Sequence, residues 1–323
     1  MATVTLRVRN DNFWFEPIVL DDITWETSRK ESPSKLTFTV VKDDLVGFNE
    51  GSEVRLLIDG KDVFFGYVFE KTRNKNHHIE VLAYDQLRYL QNKATYRIYG
   101  VRADQLISCI AKDFRLKTGS LVNTGCVIPI VDEQDVSLFD IVQNAIDETV
   151  RLTGKLYYLY DDCGYLTLKN IKDSIVPLLV DKDTAEDFDY KTSIDSETYN
   201  RIVIAEDSDG KQKGVYTEVT DMKSVGQWGV LQYFESGYKG KNPLNKAKTL
   251  LKLHNHVTRS LTINDCLGDI RVRAGTSVYV DLSLGDKTLD NQLLLVEKAT
   301  HKFKEGHHSM DLSVIGHREF YGE

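Results

Sequence analysis

Two distant segments of the chain share one six-residue pattern: Gly, then Ser or Thr, any residue, Val, any residue, and Leu or Val. They are GSEVRL at residues 51–56 and GTSVYV at residues 275–280. Two further matched blocks follow each segment in the same order. These blocks are FEKT at 69–72 with VEKA at 296–299, and the histidine pairs at 77–78 and 307–308. Three matched blocks in one order predict a duplicated module.

The spacing between the matched blocks predicts where the two copies differ. Gly51 lies 19 positions before Glu70, whereas Gly275 lies 22 positions before Glu297. The second copy therefore carries three extra residues, which a hairpin loop of a β-meander accommodates at small entropic cost. A strand-like segment ends each copy, IEVLAY in the first and MDLSVI in the second.

Residues 1–95 mostly alternate between apolar and polar side chains, which is typical of half-buried strands. About six such runs are separated by turn-rich joints: TVTLRV, ITWETS, SKLTFTVV, EVRLLI, DVFFGYVFEKT and HHIEVLAY. The Asp59-Gly60 joint suits a tight hairpin, because glycine tolerates a positive φ. Helical spacing begins at Leu87, Tyr89 and Leu90, so we expect a short helix that closes the open end of a first β-barrel module.

Helical patterns replace the alternation from about residue 96 to residue 190. One apolar stripe runs through RADQLISCIAKDF, and a second runs through LFDIVQNAIDETVRL, which Ser137 can cap at its start and Gly154 can end. A hairpin with its turn at residues 161–164 follows in KLYYLYDDCGYLTLKN. These elements predict a compact α+β domain inserted after the first barrel.

Strand patterns return after an acidic, loop-rich stretch, beginning with YNRIVIAED at residue 199. Asn242 and Pro243 can open a helix in this region, since they suit the cap and the first helical position. The predicted fold class is mainly β with an α+β insertion, built from two antiparallel β-barrel modules and a middle helical and hairpin domain. The predicted domains are 1–95, the first β-barrel module; 96–190, the middle α+β domain; and 191–323, the second β-barrel module with an inserted helix.

The charge balance and the hydropathy pattern narrow the class of protein. Acidic residues (49) outnumber basic ones (41), which gives a formal charge of −8 and argues against sequence-specific nucleic-acid binding. No window holds the roughly 18–20 unbroken apolar residues of a membrane span, and the start MATVTLRV lacks the layout of a signal peptide. We therefore expect a protein that is made in the cytosol.

No catalytic, metal or cofactor site is predicted. The motifs of serine hydrolases, P-loop proteins, zinc proteases and Rossmann folds are missing from the sequence. The four cysteines form no C-x-x-C pair, so we interpret them as reduced thiols. His307-His308 and His254-x-His256 lack a third and fourth ligand, so solvated turns are favoured over a metal site.

The cluster Phe13, Trp14 and Phe15, within NDNFWFEP, is the most apolar turn-like segment of the chain. As a core plug it would fill the space beneath the first barrel. As a candidate interface it would contact a partner, because aromatic side chains concentrate binding energy at interfaces. Both interpretations stay open.

The blocks near the C terminus, GTSVYV, VEKATHKFK and MDLSV, preceded by RSLTIND, resemble the XkdQ/YqbQ family of phage-like baseplate hub proteins, also called late control or D-type tail proteins. The resemblance extends over essentially the whole chain. DGKDVFFGYVFE and IEVLAYDQLRYLQN resemble the end of the family's first barrel, and LFDIVQNAIDETVRLTG with the YYLYDDCGYLTL hairpin resembles its middle domain. These motifs describe a fold and carry no catalytic signature.

The resemblance implies a non-enzymatic structural hub at the tip of a contractile tail. In related hubs three copies form a ring, and the two tube-protein-like barrels of each chain imitate two tube subunits, so that a sixfold tail tube meets a threefold central spike. The implied partners are two further copies in a homotrimer, the tail tube protein, the central spike protein, baseplate wedge proteins and the tape-measure protein. The chain would be made in the bacterial cytoplasm and assembled into the baseplate of a phage, a bacteriocin-like particle or another contractile injection device.

The alternative is a β-rich, tail-associated enzyme that degrades cell wall or carbohydrate. Such an enzyme would use separated carboxylates drawn from distant segments, and no short motif excludes it. Adjacent pairs such as Asp161-Asp162 do not suit that role, because in a turn we expect both side chains to be solvated.

Overall fold

The computed structural model describes residues 3–20, 22–30, 32–42, 47–75, 78–195, 198–206, 216–238, 242–285 and 288–316. The chain folds as two compact units. The first unit combines Met1–Asp189 with Leu261–Glu323, and the second unit is Tyr190–Ser260. The second unit is therefore an insertion in the chain of the first.

Within the described residues, the first β-module is an antiparallel sheet of seven strands. They are β1 (Val4–Asn10), β2 (Phe13–Phe15), β3 (Ile23–Ser28), β4 (Lys35–Val41), β5 (Glu53–Ile58), β6 (Lys61–Arg73) and β7 (His78–Tyr84). They pair in the order β3-β4-β7-β6-β5-β1-β2. Alternate residues point into one core, which includes Val8, Phe38 and Val81. The predicted meander is confirmed, and the turn-like segment around Trp14 is a further strand paired with β1.

The middle domain begins with a 3-10 helix, Gln86–Gln91, whose first turn Asp85 caps by accepting from Leu87 N–H. Leu87 and Leu90 are buried in the core of the middle domain. The expectation that this helix closes the first barrel is therefore wrong for Leu87 and Leu90. Only Tyr89 of the three expected residues packs against the first module, where it contacts the Tyr67 and Phe69 rings of β6.

The rest of the middle domain contains β8 (Lys93–Val101), α1 (Ala103–Asp113), β9 (Thr118–Leu121), β10 (Ile128–Ser137), α2 (Leu138–Thr153), β11 (Tyr157–Asp161) and β12 (Leu166–Asn170). Both predicted helices and the predicted hairpin are confirmed. Ser137 caps α2 by accepting from Asp140 N–H, and Gly154 ends it with φ +68°. The antiparallel pair of β8 with β10 was not expected from the sequence.

After a short 3-10 helix, Ile171–Asp173, the strands β13 (Ile175–Asp181) and β14 (Asp187–Ser193) lead to the second compact unit. There β15 (Arg201–Glu206) lies between β16 (Tyr216–Thr220) and β17 (Gln232–Tyr238), with α3 (Met222–Trp228) and α4 (Pro243–His254). Ile202 and Ile204 of the sheet bury Ala247 and Leu250 of α4. The sequence predicted strands and an inserted helix here but assigned them to the second β-module. An amphipathic helix needs an apolar surface to cover it, and the sheet of this unit provides that surface.

The chain then completes the second β-module with β18 (Thr258–Leu267), β19 (Ser277–Ser283), β20 (Thr288–Lys304) and β21 (His307–Gly316). With β13 and β14 these strands pair in the order β14-β18-β21-β20-β19-β13. Because β13 pairs with β19, the second module begins before the border expected at residue 190.

The two β-modules share one strand order. The order β3-β4-β7-β6-β5-β1 in the first module matches β14-β18-β21-β20-β19-β13 in the second, position by position. The predicted duplication is therefore confirmed. The outermost strands differ in direction, since β1 is antiparallel to β5 whereas β13 is parallel to β19.

Backbone hydrogen bonds at the repeated glycines coincide in the two modules. Gly51 N–H donates to Val68 O (2.7 Å), and Val68 N–H donates back to the carbonyl after Gly51 (2.9 Å). Gly275 and Val296 make the same two bonds, each 2.8 Å long. Both glycines have a positive φ, +87° and +90°, which L-residues rarely adopt.

A β-bulge follows each of these valines and sets the true alignment of the repeat. The register shifts between Val68 and Glu70 in one module and between Val296 and Lys298 in the other. Glu70 therefore corresponds to Lys298, and the predicted match of Glu70 with Glu297 is wrong by one residue. The second hairpin is four residues longer, not three. Of the third matched block, His77 lies outside the described residues.

The hairpin of β11 and β12 lies between the middle domain and the second β-module. Every residue of β11 is buried. Tyr157 and Leu159 point into the middle-domain core, whereas Tyr158 and Tyr160 pack with Leu295 of β20. Burial on both faces explains why this strand is apolar throughout.

Two glycines allow the hairpin to approach both β-modules. At Gly164, a Cβ would lie 2.8 Å from the Phe65 ring of the first module, and at Gly275 a Cβ would lie 2.2 Å from the Tyr158 ring. Both positions also have a positive φ. The two modules and the middle domain are thus held together through sites where a side chain does not fit.

We expect Gly275→Ala to destabilise the protein more than Gly51→Ala. Both alanines bear the cost of a positive φ, about 1–2 kcal/mol, but only the Cβ at position 275 meets a ring. Overpacking there should add about 1–3 kcal/mol. Urea unfolding of the two variants measures the difference, and equal losses would contradict the close contact with Tyr158.

Candidate assembly interface

One strand joins the two β-modules into a single sheet. The first part of β20 pairs with β19, and the part after the bulge at Glu297 pairs antiparallel with β3. The register in this second part runs from Lys298 opposite Ser28 to Phe303 opposite Ile23. We call this pairing the internal joint.

Two ion pairs cross the internal joint, and a third lies beside it. The Arg29 guanidinium is 2.7 Å from the Glu297 carboxylate, and the Arg29 side chain is only 5% exposed. Glu26 lies 2.9 Å from Lys298 Nζ and 3.4 Å from Lys35 Nζ. Burial opposes ionisation of Glu26, but the hydrogen bonds and positive charges of the two lysines hold its pKa below the usual value.

An aromatic and imidazole stack completes the internal joint. The Trp25 ring stacks on His301, with centroids 4.9 Å apart, and Trp25 Nε1 donates to Ser34 Oγ. His301 Nε2 lies 2.8 Å from Val272 O, and Nδ1 lies 2.9 Å from His308 Nε2. Because a carbonyl only accepts, Nε2 carries the proton and Nδ1 accepts from His308. His301 is therefore held neutral.

Two carboxyl groups are buried where the first β-module meets the middle domain. Asp85 accepts from Leu87 N–H (3.0 Å), and Asp161 accepts from Gln86 Nε2 (2.8 Å) and Gly164 N–H (2.6 Å). Burial raises the pKa of both groups, and the charge of Asp161 raises the pKa of Asp85 further. The expectation of a solvated Asp161 is wrong, because its oxygens close the hairpin turn.

Arg273 links this buried region to the second β-module. Its Nη2 donates to Asp161 O (3.0 Å), and its guanidinium lies 4.1 Å above the Tyr160 ring. Trp25 is 6.0 Å away on the side of the internal joint. One cation thus contacts the hairpin and both modules.

The predicted interface residues have three different environments at the sheet edge. Phe13 is 54% exposed. Trp14 is half-buried, with the Arg55 guanidinium 4.9 Å from its ring centroid. Phe15 packs against the first-module core, 6.4 Å from Phe48 between ring centroids. Phe15 thus fits the core interpretation, and the contact-patch interpretation stays a prediction for Phe13 and Trp14.

Among the described residues, no group of three or more His, Cys, Asp or Glu side chains is arranged to hold a metal ion. The histidines have other contacts. His308, expected in a solvated turn, is half-buried and stacks on Phe303 with centroids 4.4 Å apart. His254 stacks on Tyr233. Within the same part of the chain, no helix is long and apolar enough to cross a membrane.

The residues of the internal joint do not stand out in the sequence. Ala299, His301 and Phe303 alternate on one buried face, and this is the one signal that could have marked His301 as a core histidine. In the sequence, Glu297 and Lys298 have the charged side chains expected on the solvated face of an ordinary strand. A single sequence does not say which strand lies opposite them.

Two solved structures with the same fold are tail proteins. The 43 kDa tail protein of prophage MuSo2 from Shewanella oneidensis has a TM-score of 0.72 at 14% identity, and the match covers 98% of this chain and 99% of that one. The tail protein from Neisseria meningitidis MC58 has a TM-score of 0.70 at 11% identity, with 98% of both chains covered. The chain therefore has the β-rich fold of these tail proteins.

The family follows from the sequence comparison. The YqbQ-like family model matches residues 23–315. The protein XkdQ of the phage-like element PBSX from Bacillus subtilis (strain 168) is 31% identical over 323 residues, which is 97% of each chain. The chain belongs to the YqbQ-like family, as the resemblance in its motifs predicted.

We expect the internal joint to weaken in acid. Burial and the charge of His308 lower the pKa of His301 from 6.5 to about 3, so between these values the unfolded chain binds more protons. The stabilisation by neutral His301 is complete above pH 6.5 and declines as the pH falls, by up to about 1.4 kcal/mol per pH unit. Urea unfolding between pH 7.5 and pH 5 measures this loss.

His301→Gln supplies the control for this titration. The raised pKa of Asp85 acts in the opposite direction, because the folded state then binds the extra proton. The stability gap between wild type and variant removes that contribution and should narrow as the pH falls. A gap that stays constant would show that His301 titrates normally.

Proposed function

We propose that the protein is a structural, non-enzymatic hub of a contractile-tail baseplate, placed between a sixfold tail tube and a threefold central spike. The observation that supports this most directly is the pair of β-modules with one strand order, joined through β3 and β20. A ring of three chains then contains six equivalent modules. Such a ring needs a heterologous contact between successive chains.

The relatives support the same role. XkdQ is a protein of a phage-like element, and the structures with the same fold are tail proteins. The partners that we propose are two further copies in a homotrimer, the tail tube protein, the central spike protein, baseplate wedge proteins and the tape-measure protein. The chain would be made in the bacterial cytoplasm and built into the tail of a phage, a bacteriocin-like particle or a related injection device.

We place the middle domain at the periphery of the ring. Its helices bury their apolar faces in a core of their own, which includes Leu106, Ile110, Ile141 and Ile146. These residues need no cover from the wall of a channel. The formal charge of −8 suits a channel through which DNA or the tape-measure protein passes without binding.

The alternative of a carbohydrate-degrading enzyme gains no support from the carboxyl groups with raised pKa. Asp85 and Asp161 are 1% and 5% exposed. A polysaccharide cannot reach them, although a glycosidase must bring its acid and its nucleophile or base to the sugar. We expect no product release in a turnover assay on purified cell wall.

Imaging of intact particles tests the proposed function. A reconstruction of the tail tip should show three copies of the chain around the axis, with six β-modules in one layer and the middle domains outside it. Six copies, or a single copy away from the axis, would refute the hub assignment. The assembled particle is the appropriate sample, because contacts between β-modules alone can be too small to hold free chains together.

A pair of substitutions separates the two interpretations of the aromatic cluster. Phe13→Ala should change the free energy of unfolding by less than about 0.5 kcal/mol, because the ring is mostly exposed, yet it should reduce incorporation into particles. Phe15→Ala should cost about 1–2 kcal/mol of stability, because its ring packs on the core. Unfolding curves and the yield of intact particles measure both effects. Normal incorporation of Phe13→Ala would exclude the contact patch.

A further inference from the structure

Two strand edges are the open counterparts of the internal joint. In the sheet as described, β14 pairs only with β18, so its other edge is open. On the β5 side of β6, pairing ends at Val68, so the edge of residues 69–73 is open. The equivalent part of β20 is paired with β3. By strand order, β14 corresponds to β3 and β6 corresponds to β20. Each module therefore lacks a neighbour that the other module has.

We propose that β14 of one copy pairs with residues 69–73 of β6 in the next copy, repeating between copies the antiparallel geometry of the internal joint. The partner is thus a second copy of this chain. The inference rests on the proposed hub function, which requires the two modules to alternate around one axis. It adds which strands and which side chains meet.

The bulges establish the correspondence on the β6 side. Each bulge residue follows a valine that is bonded to the repeated glycine, so Phe69 corresponds to Glu297. The next residues, Glu70 and Lys298, correspond in turn. Three positions further, Arg73 occupies the place of His301.

The contacts of β14 with β18 establish the correspondence on the other side. Thr258 Oγ1 donates to Ser193 O (2.9 Å), and Leu267 N–H donates to Thr184 O (2.9 Å). From these two contacts we infer an antiparallel register in which Tyr190 is opposite Leu261. Leu261 lies opposite Val314 of β21, and Leu36 lies opposite Ala83 of β7. These two places correspond in the two modules, so Leu261 corresponds to Leu36. Since Leu36 lies opposite Trp25, Tyr190 corresponds to Trp25. By the same count Lys191 corresponds to Glu26, and Ile194 to Arg29.

The charged pair of the internal joint has a counterpart of reversed sign. Glu26 and Lys298 lie 2.9 Å apart in the internal joint. At the proposed interface their places are taken by Lys191 and Glu70, both of which are exposed in the single chain. A cation again meets a carboxylate, although both residues have changed.

The second ion pair of the internal joint has an apolar counterpart. Arg29 and Glu297 are replaced by Ile194 and Phe69, which are both half-buried in the single chain. An ion pair in the internal joint thus corresponds to two apolar side chains, Ile194 and Phe69, which would both be buried at the proposed interface. Burial of both stabilises the pairing at roughly 25 cal/mol per Å².

The aromatic stack of the internal joint also has a matched counterpart. Trp25 and His301 are replaced by Tyr190 and Arg73, so a guanidinium would lie against a phenol ring. A cation and an aromatic face attract each other. Three pairs of positions thus remain complementary across the proposed interface, with different chemistry in each.

Residues 47–52, the described part of the loop before β5, resemble the equivalent loop of the second module. Phe48, three residues before Gly51, accepts from Lys71 Nζ through its carbonyl (2.7 Å). The carbonyl of Val272, three residues before Gly275, likewise accepts from a side chain of the neighbouring strand, His301, two positions beyond the equivalent of Lys71. In the second module the equivalent residues coexist with the paired β3, so residues 47–52 leave room for β14 of a neighbour.

Disulfide trapping in assembled particles tests the pairing. Thr72 corresponds to Thr300, which lies opposite Glu26. Thr72→Cys with Lys191→Cys therefore places two thiols opposite each other, with Cβ atoms about 4.5–5.5 Å apart. In a Cys109→Ser background, since Cys109 is exposed, mild oxidation should yield a species three times the mass of the chain on a non-reducing gel. Each single cysteine variant should remain at the mass of one chain.

The internal joint supplies a matched positive control. Glu26→Cys with Thr300→Cys should form a disulfide within one chain, seen as a loss of free thiol without a change in mass. If imaging shows three copies around the axis, the 26/300 control oxidises and the 72/191 particles do not cross-link, the pairing is wrong and the hub function stands. If imaging does not show three copies, the hub function itself fails and the pairing fails with it.

Charge reversal gives an independent measurement. Lys191→Glu would bring two carboxylates together and should lower the yield of intact particles by about tenfold per interface. Adding Glu70→Lys should restore the yield, since the pair then has the polarity of the internal joint. A double variant as defective as the single one, with normal unfolding curves for both, would overturn the assignment.

Discussion

The pairing of β3 with β20 is the interaction on which the rest of the first unit depends. It joins two sheets by backbone hydrogen bonds, and it also carries Phe303 of β20 into the core of the first β-module, where the ring is 4% exposed. The modules therefore cannot separate without opening a core. The internal joint also contains the ion pair of Arg29 with Glu297 and the stack of Trp25 on His301. If the joint opens, a polar network and an apolar core are therefore lost together.

The middle domain fixes the angle between the two β-modules at the internal joint. Its hairpin presses Gly164 against Phe65 of one module and Tyr158 against Gly275 of the other. Arg273 then holds the hairpin carbonyl of Asp161. Since each contact excludes even a methyl group, the angle between the modules is set by close packing and does not rely on the length of a linker. In a ring built from such chains, every second contact between neighbouring modules would be an internal joint and would have this angle.

Local patterns made much of this fold predictable. The strands of the first module, the caps at Ser137 and Gly154, and the duplicated glycines each depend on residues near in sequence. The internal joint was not predictable, because Ser28 and Lys298 are distant in sequence and their pairing has no local signal. The one-residue error at Glu297 has the same origin. A bulge adds a residue without changing the alternation on either side, so matching letters in one sequence does not locate it.

The chemical difference between the internal joint and the proposed interface would enforce the order of modules around a ring. If β14 of another copy displaced β3 from β20, Lys191 would face Lys298, and Ile194 would cover the charged Glu297. If the displaced β3 then paired with β6 of another copy, Glu26 would face Glu70.

Like charges opposite each other in a sheet are unfavourable, and so is a carboxylate buried against an apolar group. Only the alternating order avoids these contacts, so the proposed ring would alternate the two kinds of module, two from each chain. In a ring of three such chains, the backbone of the six modules would have nearly sixfold symmetry about the axis. The side chains would have only threefold symmetry, because the two modules of a chain differ. One face of the ring can then match a sixfold tube, while the differences between the modules give the other face the threefold symmetry of a spike.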